Sequence, residues 1–353
     1  MKNMIGNTPL LEICYTYKGE KRKIYTKAEF YNLTGSIKDR MAKHIIDESY
    51  KDGSLKPGMP IIEATSGNTG ISFSALGALN EHPVHIFMPD WMTSERKNMI
   101  RKFGATLHDV TREQGGFEGS VLLANKLSEE IGGFRPQQFL NPYNEDAHFY
   151  TTGLEICTQL DMLGVVPDGF VAGVGTGGTI MGVSKRLRIK YPHVKVFPLE
   201  PFKSQAMTKG EKGKEHRIQG IGDGFVPELV NMKKMDDIIV VHDGDAILMA
   251  KKLARQLGIG VGISSGANFL GAVMAQNKYG KDFQVVTVFS DDSKKYLSSD
   301  LLKLEPTKDD YLSQDIQLLE ADSICICDTR IRKGTCMNWR HEENNSKLIQ
   351  KTD

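Results

Sequence analysis

The chain has 353 residues, enough for about two domains of roughly 150 residues that each bury a core, which excludes a small disulfide-stapled fold. Lys plus Arg (45) balances Asp plus Glu (44) for a formal charge of +1, so no global field draws in nucleic acid or acidic lipid and a ligand must be recognised locally. Hydrophobic residues at 40% and charged residues at 25% are ordinary for a globular protein, whereas the 35 glycines are in excess of the usual share of about 7%.

In chain order, the opening MKNMIGNTPLLEI lacks the apolar core of a signal peptide. No later stretch reaches the roughly 18 apolar residues of a membrane span, so a cytoplasmic protein with no membrane partner is expected. In Asn32-Leu-Thr-Gly-Ser-Ile-Lys-Asp-Arg40, Ile37 begins a four-residue recurrence with Met41 and Ile45 that predicts a helix starting near Lys38. By composition Lys38 is a solvated lysine. Beside anion-binding loops it becomes a candidate nucleophile, because a helix N-terminus favours the neutral amine that Schiff-base chemistry requires.

A strand predicted over Pro60–Ala64 runs into Thr65-Ser-Gly-Asn-Thr-Gly70 and then a helix over 71–79. Three hydroxyls and a carboxamide among glycines make a nest suited to a carboxylate, whereas a plain capping turn needs one such residue. Another strand is expected over Val84–Met88. Val121, Leu122, Asn125, Leu127 and Ile131 suggest a helix broken by Gly132–Gly133. The polar, proline-punctuated Arg135–Asp146 separates two strand-helix series and predicts a hinge or cleft.

After a strand over Gly169–Gly173 comes Gly173-Val-Gly-Thr-Gly-Gly-Thr179 and a helical pattern over 180–189, an arrangement whose N–H groups and hydroxyls would cradle a phosphate. Gly173, Gly175 and Gly178 also satisfy G-x-G-x-x-G, with Glu200 placed as a ribose-binding acid, so this segment alone allows a nicotinamide dehydrogenase or an unliganded turn. Lys185, Arg186, Arg188 and Lys190 read as the solvated end of that helix. Strands over Val194–Leu199, Ile238–Val241 and Val285–Phe289 complete an α/β pattern of two mainly parallel sheets covered by helices. From Glu305 the pattern weakens, and Asn338–Asp353 is charged, so a weakly packed tail is expected. The five cysteines are sparse, and the spacing of Cys325, Cys327, Cys336 and His341 is not that of a usual zinc site, so no metal is expected.

Taken together, Lys38, the TSGNTG loop and the GTGGT loop resemble the fold-type II pyridoxal-phosphate enzymes of the cysteine synthase and cystathionine β-synthase family. The resemblance continues through IGNTPL, Met88–Leu107 (MPDWMTSERKNMIRKFGATL), TTGLEI at Thr151–Ile156, HRIQGIGDGF at His216–Phe225, GISSGAN at Gly262–Asn268 and KKYLSS at Lys294–Ser299. It implies a tryptophan synthase β-subunit-like fold: a smaller mobile domain over 36–145, a larger cofactor-binding domain over 1–35 and 146–308, and a 309–353 extension of unassigned role. It also implies a homodimer. A nicotinamide dehydrogenase gives no role to Lys38 or the TSGNTG loop and stays an outside alternative, as does a non-catalytic binding protein.

Carried over motif by motif, the resemblance implies that Lys38 holds pyridoxal 5'-phosphate as an internal aldimine and that Asn68 bonds the ring oxygen. Gly175, Thr176, Gly177, Gly178 and Thr179 would bind the phosphate. Ser264 would face the pyridine nitrogen, where a neutral hydroxyl stores the carbanion poorly and favours expulsion of a β-substituent. Thr65, Ser66, Thr69 and Gln138 would hold the substrate carboxylate. Lys38, once freed, would remove the Cα proton, loss of the β-substituent would give an aminoacrylate, and a nucleophile would add at Cβ of a cysteine, serine or O-acetylserine skeleton.

Position 223 departs from the family: sulfhydrylases resemble GIGAGF and cystathionine synthases GIGYDF, whereas this chain reads Ile221-Gly-Asp-Gly-Phe225. A carboxylate there repels bisulfide and assists water, so Asp223 is expected to act as a base that turns L-cysteine into hydrogen sulfide and L-serine. Protonation of the leaving thiolate, recognition of a second amino acid's ammonium, and an ordinary turn aspartate are the alternatives for Asp223. Cysteine synthesis from O-acetylserine and cystathionine or other thioether synthesis are the alternative activities. Leu33 stands where the family usually has proline, which loosens a turn. Phe117 stands where sulfhydrylases usually have methionine and is read as packing in a core.

Overall fold

The computed structural model describes residues 4–210 and 212–326. Among them lie ten strands: β1 (Leu10–Tyr17), β2 (Glu20–Ala28), β3 (Ile61–Ala64), β4 (Val84–Pro89), β5 (Thr106–Val110), β6 (Gly169–Gly173), β7 (Lys195–Pro201), β8 (Ile239–Val241), β9 (Val285–Phe289) and β10 (Ile316–Ile324). The α-helices are α1 (Lys38–Asp52), α2 (Asn68–Leu79), α3 (Ser94–Lys102), α4 (Gly116–Ile131), α5 (Tyr143–Ala147), α6 (Gly153–Leu163), α7 (Gly178–Lys190), α8 (Ala206–Lys209), α9 (Asp243–Leu257) and α10 (Ile263–Tyr279).

Two sheets organise the chain, in the orders β10-β1-β2-β9-β6-β7-β8 and β3-β4-β5. The small sheet is wholly parallel, and the large one is parallel from β2 through β9, β6 and β7 to β8. The six expected strands are all present. Their short apolar runs are buried on both faces: every residue of β3 and of β9 is buried, with α2 and α4 packed on β3 and α10 on β9. Helix α2 is buried nearly all round between the small sheet and α1, whereas α9 buries one face and exposes Arg255 and Gln256 on the other. None of the described helices is long and apolar enough to cross a membrane.

The large sheet also carries an antiparallel hairpin. Lys18 (φ 50°) and Gly19 (φ 83°) both take left-handed backbone, the geometry that matches a two-residue turn to the twist of β1 and β2. The expectation of a weakly packed tail from Glu305 needs correcting over its first part. Residues Ile316–Ile324 form β10, antiparallel to β1, with Ile316 and Leu318 buried and Gln159 Nε2 donating to the Ile324 carbonyl at 2.8 Å. Cys327, Cys336, His341 and Asn338–Asp353 lie outside the described residues.

The loops after β3, β6 and β9, each at the C-terminal end of a parallel strand, converge on a common cleft, as expected where ligands bind in open α/β sheets.

Candidate active site

Lys38 opens α1 at this convergence, and its neighbours leave its backbone little freedom. Ile37 N–H donates to the Ser290 carbonyl at 2.8 Å, so the start of α1 is tied to the end of β9. Asp39 accepts from Thr34 N, Thr34 Oγ1 and Ser72 Oγ, each at 2.6 Å. Arg40 is buried and chelated by two carboxylates, with Nε to Glu29 Oε2 at 2.6 Å and Nη2 to Glu155 Oε2 at 2.7 Å. Burial lowers the Lys38 ammonium from the ordinary lysine range, against the pull of Asp223 and Asp291. An amine so tuned is more readily neutral and nucleophilic.

The loop after β3 faces it. Gly67 is packed on Arg96 so closely that a Cβ would lie 2.4 Å from Arg96 Cδ, so only glycine fits. Asn68 Nδ2 donates to Asp291 Oδ2 at 2.8 Å, while Asn68 Oδ1 is buried without a partner. Thr69 Oγ1 donates to Gln138 Oε1 at 2.6 Å, and Gln138 Nε2 donates to the Ala64 carbonyl at 3.1 Å. Two of the residues expected to hold a carboxylate thus meet although they stand 69 positions apart in sequence.

The loop after β6 supplies the third wall. A Cβ on Gly175 would lie 2.5 Å from the Gly220 carbonyl oxygen, one on Gly177 (φ +88°) 2.5 Å from Val230 Cγ2, and one on Gly178 2.0 Å from Asn144 Oδ1. Asn144 Nδ2 donates to Thr176 Oγ1 at 2.9 Å, and Thr179 Oγ1 lies 3.3 Å from His148 Nε2. Gly177 offers no side chain to cap α7, and apart from a long 3.4 Å bond from Gly178 N–H to Thr176 Oγ1 the N–H groups of its first turn remain available to an anion. Glu200 is not available as a ribose acid: it is buried and accepts from Met207 N at 2.9 Å and Thr208 N at 3.0 Å, capping α8.

Lys38, Thr65, Ser66, Asn68, Thr69, Gln138, Gly175, Thr176, Gly177, Thr179, Asp223 and Ser264 line one concave cleft of mixed polar and apolar side chains. Gly178 stands just behind it, holding α7 against Asn144. Phe117, expected in a core, instead lines the cleft and meets Phe139 edge-on at 5.8 Å between ring centroids, because the start of α4 faces the opening.

Asp223 lies between Gly222 (φ +72°) and Gly224 (φ +87°) with an exposed side chain that takes no hydrogen bond from any described residue. Desolvation by the surrounding protein nevertheless raises its carboxyl from the ordinary aspartate range, opposed by His216 and Lys38. The same side chain borders two further cavities open to solvent, so water reaches it directly.

Sequence reasoning missed Asp291, Tyr296, Arg96 and Gln219. Asp291 and Tyr296 flank or belong to the KKYLSS segment, which signalled the region without singling out either residue.

The family model described as "Pyridoxal-phosphate dependent enzyme" matches residues 1–291. A cysteine synthase of Staphylococcus aureus is 38% identical over 302 residues, covering 86% of this chain and 96% of that protein. The crystal structure of a hydrogen sulfide-producing enzyme from Fusobacterium nucleatum is 52% identical with a TM-score of 0.90, covering 92% of this chain and 98% of that one. A structure of an aspartate-to-asparagine mutant of a hydrogen sulfide-producing enzyme, complexed with an α-aminoacrylate intermediate, matches with the same identity, coverage and TM-score.

Proposed function

Since the chain belongs to the pyridoxal-phosphate dependent enzyme family, as a cysteine synthase-like member, we propose that it acts on L-cysteine, releasing hydrogen sulfide and adding water at Cβ to form L-serine. The observation that carries this reading is the unbonded carboxylate of Asp223 in the cleft that contains Lys38 and opens to solvent. The 52% identity to a hydrogen sulfide-producing enzyme, and the mutant complexed with an α-aminoacrylate intermediate, support it.

The residues fit the cofactor: a cradle of glycines that no Cβ could enter, an uncapped helix start and an unpartnered amide oxygen surround the amine. In this reading Lys38 tethers the cofactor, Asn68 bonds its ring oxygen, Gly175 to Thr179 hold its phosphate and Ser264 faces its ring nitrogen. When bound, the cofactor supplies an electron sink that weakens the Cα–H and Cβ–S bonds of an attached amino acid.

Thr65, Ser66, Thr69 and Gln138 orient the substrate carboxylate, and Lys38 Nζ, displaced by the substrate amine, takes the Cα proton. The sulfur leaves Cβ with its electron pair. Asp223 then accepts a proton from the water whose oxygen bonds Cβ, and Lys38 returns a proton to Cα. The net reaction is cysteine plus water to serine plus hydrogen sulfide. Two like charges about 4 Å apart repel by about 4 kcal/mol at an effective dielectric near 20, so Asp223 also disfavours return of bisulfide. The unit over 36–145, which carries the three-stranded sheet, is assigned the closing movement over substrate.

The test is product analysis with L-cysteine alone and with O-acetylserine plus sulfide. Serine and sulfide from cysteine are expected. A strong preference for the second pair overturns the reading in favour of cysteine synthesis, the activity named in the Staphylococcus aureus relative.

A further inference from the structure

The backbone on either side of Asp223 is anchored far more heavily than a surface turn requires. Gly222 N–H donates to the Val174 carbonyl at 2.9 Å, which ties the turn to the loop after β6. The Gly222 carbonyl, whose carbon begins the peptide bond to Asp223, accepts two hydrogen bonds: from Ser204 Oγ at 2.8 Å and from His216 Nε2 at 2.9 Å. Because a carbonyl oxygen only accepts, His216 Nε2 carries a hydrogen and donates it; Nδ1 is buried and has no partner among the described residues. On the far side, Gly213 N–H donates to the Gly224 carbonyl at 3.3 Å.

Packing fixes the same turn. A Cβ on Gly222 would lie 2.6 Å from Pro201 Cδ, at the end of β7, and one on Gly213 would lie 2.0 Å from Ser204 Oγ. Ser204 is buried, so its hydroxyl is held by the protein interior rather than by solvent. Asp223 itself forms no hydrogen bond with any described residue, so this frame immobilises the peptide and leaves the carboxylate free to work.

We propose that His216 and Ser204 are positioning residues for Asp223: by clamping the Gly222 carbonyl they aim the carboxylate at the reacting carbon. This inference rests on the water-adding role of Asp223 proposed above. It makes a specific claim about product partition. When water is delivered at Cβ the product is serine; when it is not, the unsaturated three-carbon unit left by loss of hydrogen sulfide escapes and hydrolyses to pyruvate and ammonia. Each route consumes one cysteine and one water and releases one hydrogen sulfide.

The experiment measures the ratio of serine to pyruvate formed from L-cysteine by the cofactor-loaded enzyme and its variants. His216→Leu is expected to lower the ratio at least tenfold, a quantity that a smaller fraction of folded enzyme does not change. His216→Gln, whose side-chain amide can still donate from the Nε2 position, should restore it to within threefold. Ser204→Ala should move it in the same direction by a smaller factor, and it carries the test if His216→Leu does not fold. A ratio within twofold of the parent in His216→Leu and Ser204→Ala, alongside a collapsed ratio in Asp223→Asn, would overturn the clamp alone. An unchanged ratio in Asp223→Asn would overturn the role of Asp223 and the clamp with it.

Discussion

Asn68 Nδ2 donates to Asp291 Oδ2 at 2.8 Å, and the same oxygen accepts from the Tyr296 hydroxyl at 2.6 Å. A buried carboxylate only accepts, so the carboxamide of Asn68 cannot flip without setting oxygen against oxygen. One hydrogen of Nδ2 is thus spent on Asp291 and the other is left for a second acceptor. Asp291→Asn removes this constraint, since two amides pair in either sense. The expected result is a shifted absorbance band of the bound cofactor and a cofactor dissociation constant raised about tenfold, or about 1.4 kcal/mol. An unchanged spectrum and affinity would show that Asp291 has no such influence.

Lys38 is the only lysine lining the cleft among the described residues. The purified enzyme should show a visible absorbance band that borohydride bleaches, and Lys38→Ala should lose both the covalent attachment and turnover. Mass spectrometry after borohydride treatment checks it: a modified peptide that does not contain Lys38 contradicts the assignment.

Gly175 and Gly220 bring the loop after β6, proposed to hold the cofactor phosphate, against the segment leading to Asp223. A methyl at Gly175 would stand 2.5 Å from the Gly220 carbonyl oxygen, and that neighbour is backbone with little freedom to move. Gly175→Ala should therefore weaken cofactor binding and lower the yield of serine per sulfide together. Titration with cofactor and product analysis on one preparation would reveal whether the two effects separate, which this packing does not allow.

Glu155 sets an acid limit on stability. Burial raises its carboxyl, but the hydrogen bond and charge of Arg40, aided by Lys27, overcome this and hold it at about 2, below its ordinary value of 4.5. A carboxyl depressed by folding stabilises the native state above its unfolded value, and that contribution is lost as pH falls through the folded value. The loss should run from about pH 4.5 to about pH 2 and amount to roughly 3 kcal/mol. Denaturant unfolding across that range measures it. Glu155→Gln should be less stable near neutral pH, having left Arg40 and Lys27 short of a counter-charge, and should show a shallower acid loss.

The parallel strands and the three glycine-rich elements were legible because each has a local signature: an apolar run buried on both faces, then glycines and hydroxyls where a backbone must approach an anion. The antiparallel part was not. Strand β1 alternates rather than running apolar, β2 (EKRKIYTKA) begins with charge, and β10 is an edge strand with mostly exposed residues, so none resembles a buried parallel strand. Within the site, Asp223 stood out because it replaces a different residue in a familiar motif. Asp291 did not, since its importance lies in a contact with Asn68 across 223 positions of sequence. Phe117 faces the cleft because of where α4 begins, which periodicity does not reveal.

If Asp223 delivers water to Cβ, its replacement must separate serine formation from sulfide release, and the deciding quantity is the yield of serine per hydrogen sulfide released from L-cysteine, in the parent and in Asp223→Asn. The parent should approach one serine per sulfide, with the side-chain oxygen labelled when the reaction runs in ¹⁸O-water. Asp223→Asn should still release sulfide in its first turnover while serine falls at least tenfold. Equal serine yields from the two enzymes, or no serine from the parent, would exclude that role for Asp223.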